Sequence, residues 1–192
     1  TAQGLPTNDL RCVYADAANN IWVGTSAGVS KYNGVSFTTY TTADNLQHNT
    51  VLAITQDLSG NMWFGTATGV SKFTGTVWTN HINLNGINTN GDQVQSATTD
   101  ADGNIWVGSL PSMGIGGGLY KWNGASWTTY TTTNGLAHND VRGIASDPMS
   151  RMWIATNVNG TSHFRNGVFT TYGTSAGIVS AAQTCATVDD NG

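Results

Sequence analysis

The sequence predicts an all-β chain, a β-propeller segment of four four-stranded antiparallel blades plus the inner strand of a fifth, within a larger ring. Three observations predict it. First, the pattern Asp100-Ala101-Asp102-Gly103-Asn104-Ile105-Trp106-Val107-Gly108 recurs from Asp16 to Gly24, from Asp57 to Gly65 and, more loosely, from Asp147 to Ala155; a fifth copy opens at Asp189. Second, the repeat aspartates stand 41, 43, 47 and 42 residues apart, the period of a four-stranded propeller blade. Third, β-branched and aromatic residues alternate in short runs broken by Gly and Asn, and nothing carries a helical period over a useful length. A solenoid would share the periodicity, but rarely spends four strands on each turn.

The elements follow in order. Strand A precedes each aspartate, at 10–15, 51–56, 94–99 and 141–146. Strand B carries the tryptophan and ends at Gly24-Thr25, Gly65-Thr66 and their counterparts. Strand C follows a glycine, at 29–32, 70–73, 119–122 and 161–164. Strand D follows a second turn, at 37–40, 78–81, 127–130 and 169–172. Asn33-Gly34 and Asn123-Gly124 read as hairpin turns, because positive φ favours Asn and Gly. The repeats divide as 4–44, 45–86, 87–134 and 135–176, with a partial copy at 177–192. Thr1-Ala2-Gln3-Gly4-Leu5 resembles Thr42-Ala43-Asp44-Asn45-Leu46 and Thr132-Thr133-Asn134-Gly135-Leu136, so the chain is expected to open on the tail of a preceding repeat. A lone blade cannot bury both faces, and stacking places the Trp and Phe rows between neighbours.

Composition narrows the function. Charged residues are 9% of 192, against about 25% in an ordinary soluble domain. Glu is absent and Lys occurs three times; Thr, Asn, Ser and Gly fill the polar positions. A net charge of −4 argues against a phosphate-backbone partner, which needs clustered cations. No apolar run is long enough to span a membrane, so neither nucleic acid nor membrane insertion is expected. The Thr- and Asn-rich surface suits an extracytoplasmic bacterial protein, periplasmic, surface-bound or secreted. Cys12 and Cys185 occupy equivalent repeat positions and read as buried thiols of inner strands.

Gly4-Leu5-Pro6-Thr7-Asn8, Asp16 to Trp22, Gly24-Thr25, Gly28-Val29-Ser30-Lys31-Tyr32-Asn33-Gly34 and Phe37-Thr38-Thr39-Tyr40 together resemble the two-component regulator propeller repeat. The resemblance covers the whole chain. It implies seven-bladed rings, often in tandem, serving as extracytoplasmic sensor regions of bacterial hybrid two-component systems with polysaccharide fragments as ligands. It also implies surface propellers without a kinase. No kinase, receiver or DNA-binding segment is present in the sequence, so only a recognition role carries over.

Asp16, Trp22, Asp57, Trp63, Asp100, Trp106, Asp147 and Trp153 read as structural repeat residues. Alternate carboxylates at Asp100 and Asp102 invite calcium, but the other copies lack the second Asp; a carboxylate accepting backbone N–H groups across the A-to-B turn accounts for all of them. His48 and His138 share one repeat position in non-adjacent copies, and His163 stands where other copies have Lys; all three read as structural. No nucleophile elbow or convergent carboxylate pair emerges, so no catalytic residue, metal ligand or cofactor is assigned. The repeat departs from its pattern at the insertion within 110–117 and in the lengthened 81–93 connection. Both loops leave the same edge of the blades. A ligand is therefore expected there, at His81, Asn83, Asn85, Asn88, Asn90, Asp92, Ser112, Met113 and Ile115. The partner would be a polysaccharide fragment or a protein, besides the remaining blades of the parent ring. The leading function is a non-catalytic binding or scaffold module. The alternatives are a propeller-type polysaccharide lyase or glycosidase, and a purely structural surface protein.

Overall fold

The computed structural model describes residues 4–81, 93–111, 116–178, 180 and 182–188. Each repeat forms one antiparallel sheet with its strands in chain order. Blade one holds β1 (Leu10–Ala15), β2 (Ile21–Thr25), β3 (Gly28–Tyr32) and β4 (Phe37–Tyr40). Blade two holds β5 (Val51–Gln56), β6 (Met62–Thr66), β7 (Gly69–Phe73) and β8 (Trp78–His81). Blade three holds β9 (Gln93–Thr99), β10 (Ile105–Leu110), β11 (Gly118–Trp122) and β12 (Trp127–Tyr130). Blade four holds β13 (Val141–Ser146), β14 (Met152–Thr156), β15 (Thr161–Arg165) and β16 (Val168–Tyr172). The all-β expectation holds, with bounds within a residue or so of those read from the sequence.

The hairpin turns differ in detail. Asn33-Gly34 does not close a two-residue loop: four residues separate β3 from β4. Gly34 alone of the pair has positive φ, at 94°, and the Asn33 side chain accepts the N–H groups of Val35 (3.0 Å) and Ser36 (2.9 Å). Asn33 is thus chosen for its carbonyl oxygen and not for a left-handed backbone.

Every inner strand carries a bulge at the same place. The ladders skip Arg11, Leu52, Gln95 and Arg142 as they pass from one partner to the next. One extra residue bends the strand and adds twist.

Blades join through the tryptophan of strand B. Trp22 is buried with Val51, Phe64 and Phe73 of blade two. Trp63 is buried with Val94, Val107 and Tyr120 of blade three. Trp106 is buried with Val141, Ile154 and Phe164 of blade four. The sheets approach closely at the glycine ending that strand. A Cβ on Gly65 would lie 2.6 Å from Val94 Cγ1 and 2.9 Å from the Val94 carbonyl oxygen; Gly24 faces the Val51 carbonyl and side chain likewise, and Gly108 the Val141 side chain.

Residues 182–188 take the place of the fifth inner strand without strand pairing of their own. They run against blade four, where Gln183 N–H donates to the Thr156 carbonyl at 2.8 Å. Cys185 is exposed and free, unlike the buried thiol expected, because no described strand covers its outer side. Cys12 lies in β1 against the Val51 carbonyl, and burial pushes its thiol up to about 12.

Candidate functional site

The aspartate turn comes first, because it fixes the side chains around it. In blade two, Asp57 Oδ1 accepts the N–H groups of Ser59 (3.0 Å) and Asn61 (2.9 Å). Its Oδ2 accepts Asn61 Nδ2 at 2.9 Å and the Trp63 indole N–H at 3.0 Å. The same network holds Trp22 on Asp16 and Trp106 on Asp100. The turn reading of this motif is therefore right, and it missed one partner: the carboxylate also anchors the tryptophan six residues later. Burial works to raise the Asp57 carboxyl, but the bonds from Trp63 and Asn61 and the charge of Lys72 outweigh it and hold it below the usual range. The strand-C lysines lie over the same indoles: Lys31, Lys72 and Lys121 stand 5.4, 5.0 and 5.1 Å from the rings of Trp22, Trp63 and Trp106. Cation–π attraction at such range contributes about 0.5–2 kcal/mol.

Blade four rearranges this set. Arg151 replaces the asparagine and pairs its Nε with Asp147, while His163 replaces the lysine and lies 4.5 Å from the Trp153 ring. The cation has moved from strand C into the turn.

Between blades two and three the rim opens into a cleft of about 530 Å³. Trp63, Lys72, Thr79 and His81 line it from blade two; Ile105 and Trp122 line it from blade three. The A-to-B turns at Leu58-Ser59 and Asp102-Gly103 and the C-to-D turns at Thr74 and Gly124 frame its mouth. His81 stacks on Trp63 at 5.2 Å and lies 5.0 Å from the Trp122 ring. Its Nδ1 accepts the Trp127 indole N–H at 3.3 Å, which leaves the proton of the neutral ring on Nε2. Burial and the Lys72 charge lower its pKa, so the neutral form prevails at pH 7. Lys72 Nζ sits 3.6 Å from Asp57 Oδ2, a loose pair with N–H groups to spare. The cleft can therefore offer donors, acceptors and an indole face.

Of the expected ligand residues, His81 lies in this cleft. Asn83, Asn85, Asn88, Asn90, Asp92, Ser112, Met113 and Ile115 lie outside the described residues. The cleft opens at the edge carrying the A-to-B and C-to-D turns, opposite to the edge from which the two elongated loops leave. Lys72, Thr79, Trp63 and Trp122 were not singled out as ligand residues. Each matches the repeat in type or place, and the departure that matters is His81, at the position of Tyr40 and Tyr130. His48 and His138 serve local turns: their Nδ1 atoms accept the N–H of Thr50 (2.9 Å) and Asp140 (3.0 Å). No group of three or more metal-ligating side chains occurs among the described residues.

Residues 4–27 match the family model described as the two-component regulator propeller. Over those residues the chain is similar to that repeat. The chain is similar to the extracellular domain of what is described as a hybrid two-component system of B. thetaiotaomicron, at 27% identity and TM-score 0.80 over 96% of this chain and 26% of that one. It is also similar to the extracellular domain of a one-component system of the same organism, at 16% identity and TM-score 0.75 over 94% of this chain and 25% of that one. Virginiamycin B lyase of Staphylococcus aureus shares the fold at 14% identity and TM-score 0.68, over 88% of this chain and 57% of that one. The chain spans about a quarter of the length of these two extracellular domains. No curated protein matches it in sequence. Among the described residues no helix is long and apolar enough to cross a membrane.

Proposed function

We propose that this propeller segment is a non-catalytic, extracytoplasmic recognition module of the sensor kind, with a glycan fragment as its ligand. The observation that carries the reading is the 27% identity to the extracellular domain of a hybrid two-component system over 96% of the chain. Two of the cleft's titratable groups are already engaged within the protein, and the exposed Asp102 carboxylate stands at its mouth. The Asp57 carboxylate is occupied by turn and indole donors, and the Nδ1 of His81 by Trp127. Neither is placed as a free general base, which needs an open lone pair within reach of a substrate proton.

The lyase likeness keeps one rival in view. Incubating the protein with a polysaccharide and oligosaccharide panel, with calorimetry for binding and chromatography for products, separates the two. Binding without product supports the module; new reducing ends or unsaturated products favour the enzyme. Capture of a protein ligand with no glycan response would replace the glycan part alone.

A further inference from the structure

We infer that the cleft between blades two and three is the binding site, and that it takes an uncharged pyranose ring laid on Trp122; this rests on the glycan reading above. The same cleft recurs between blades three and four, but its volume there is about 310 Å³ against about 530 Å³. The difference has a residue-level cause. At the joint of blades three and four, Tyr130 stacks on Trp106 at 5.8 Å and meets Phe164 at 5.2 Å, filling the space with its phenol. At the joint of blades two and three the imidazole of His81 stands in that place. Opposite it, Trp122 and Trp127 replace Phe164 and Phe169. The wall is thus pulled back on one side and broadened into indole on the other. A volume of about 530 Å³ lies within the range of about 300–1,000 Å³ common to small-molecule clefts.

The chemistry of the wall selects the ligand. Trp63 is fully buried beneath His81 and Lys72, whereas Trp122 is only half-buried and offers the ring surface. A pyranose has one face of C–H groups that rests on such a surface, with hydroxyls around its edge. His81 Nε2–H and the Lys72 ammonium can donate to those hydroxyls, and the exposed Asp102 carboxylate and Thr79 hydroxyl can accept. Lys72, Asp57 and Asp102 with a neutral His81 leave the wall at one net negative charge. An acidic sugar meets repulsion from the carboxylates. An organic cation meets Lys72, which already occupies the indole of Trp63. A neutral, hydroxyl-rich ring meets neither.

The test uses the whole chain and intrinsic tryptophan fluorescence together with NMR of the indole N–H signals. The probes are cellobiose, maltose, lactose and mannobiose, a glucuronic-acid disaccharide, and choline, each to about 10 mM, where millimolar affinity approaches saturation. At least one neutral disaccharide should bind and shift the Trp122 signal. His81→Tyr installs the residue that the repeat uses elsewhere, so the fold should persist; binding should weaken about tenfold or more. Thr38→Ala, at the position of Thr79 in blade one, should leave affinity unchanged. Neutral-sugar binding that survives His81→Tyr with Trp122 unmoved overturns the site while leaving the glycan reading intact. Binding of the acidic disaccharide or of choline alone overturns the ligand class. A folded protein with no response to any probe overturns the inference, and a separate protein ligand would then still support a recognition module.

Discussion

The indole N–H of Trp22 donates to the Asp16 carboxylate at 2.8 Å, across the turn that joins their strands. Asn20 completes the unit by donating its amide to both oxygens. One carboxylate thereby closes the hairpin and orients the ring that blade two buries. Replacing Asp16 with Ala leaves the indole nitrogen and two turn amides without this acceptor. Unfolding in urea should show a loss of about 2–4 kcal/mol, since each abandoned buried donor costs about 1–3 kcal/mol. A change below about 0.5 kcal/mol would mean that water replaces the carboxylate freely.

Acid should unfold the protein in two stages. Hydrogen bonds hold the Asp16, Asp57 and Asp147 carboxyls below their ordinary range despite the opposing effect of burial. Their contribution is complete above the unfolded value of about 3.9 and is lost as pH falls through the folded values. His81 and His163 are lowered, chiefly by burial, so the unfolded chain binds their protons first. Stability should therefore start to fall below about pH 6.5, well before the carboxylates titrate. Urea midpoints measured from pH 8 to pH 2 check this, and the double variant H81Y/H163K should flatten the upper stage. A wild-type profile that is level from pH 7 to pH 5 would refute the histidine part.

Gly65 faces the Val94 carbonyl across the joint of two blades. Gly65→Ala should destabilise by about 1–3 kcal/mol, the usual range for overpacking, because the sheets must separate. Blade four has Ala155 at this position, so Ala155→Gly should change stability far less. Thermal melts of both variants provide the comparison.

The two cysteines should differ in reactivity. Cys12, with its thiol pushed up to about 12, holds almost no thiolate at pH 8 and should resist iodoacetamide in the native state. Cys185 is exposed and should be alkylated readily. Peptide mapping after a short reaction tells them apart; equal labelling would show that β1 opens on that timescale.

Most of the fold could be read from the sequence because each strand is announced by its own punctuation. Asp57 and Gly60 mark the end of strand A, Trp63 marks strand B, and Gly69 opens strand C. These are local signals, and local signals suffice for a repeat. The site was harder for a physical reason. Its walls belong to two different blades, and Trp63 and Trp122 are both ordinary repeat aromatics with different exposures. Exposure depends on what the neighbouring blade brings, which no window of one repeat contains. His81 was visible as a departure from Tyr40 and Tyr130. What remained hidden was that an imidazole there, opposite an indole, widens a groove that the phenol would fill. Cys185 was misread for a related reason: its equivalence to Cys12 is a matter of register, while its burial depends on strands from elsewhere in the sheet.

Because the tryptophans of blades one, two and three are each received by the blade that follows, the described joints have a direction and share one kind of plug. A duplicated blade would therefore arrive already fitted to both neighbours, and such an array can lengthen without inventing a new contact. The pair formed by blades two and three is the exception. His81 leans on Trp122 and Trp127, so these two blades are matched to one another. Shuffling them apart would leave a histidine facing phenylalanines and two indoles facing a tyrosine. Interchangeable parts make such an array easy to extend, and one keyed joint marks the place where exchange would close the proposed cleft.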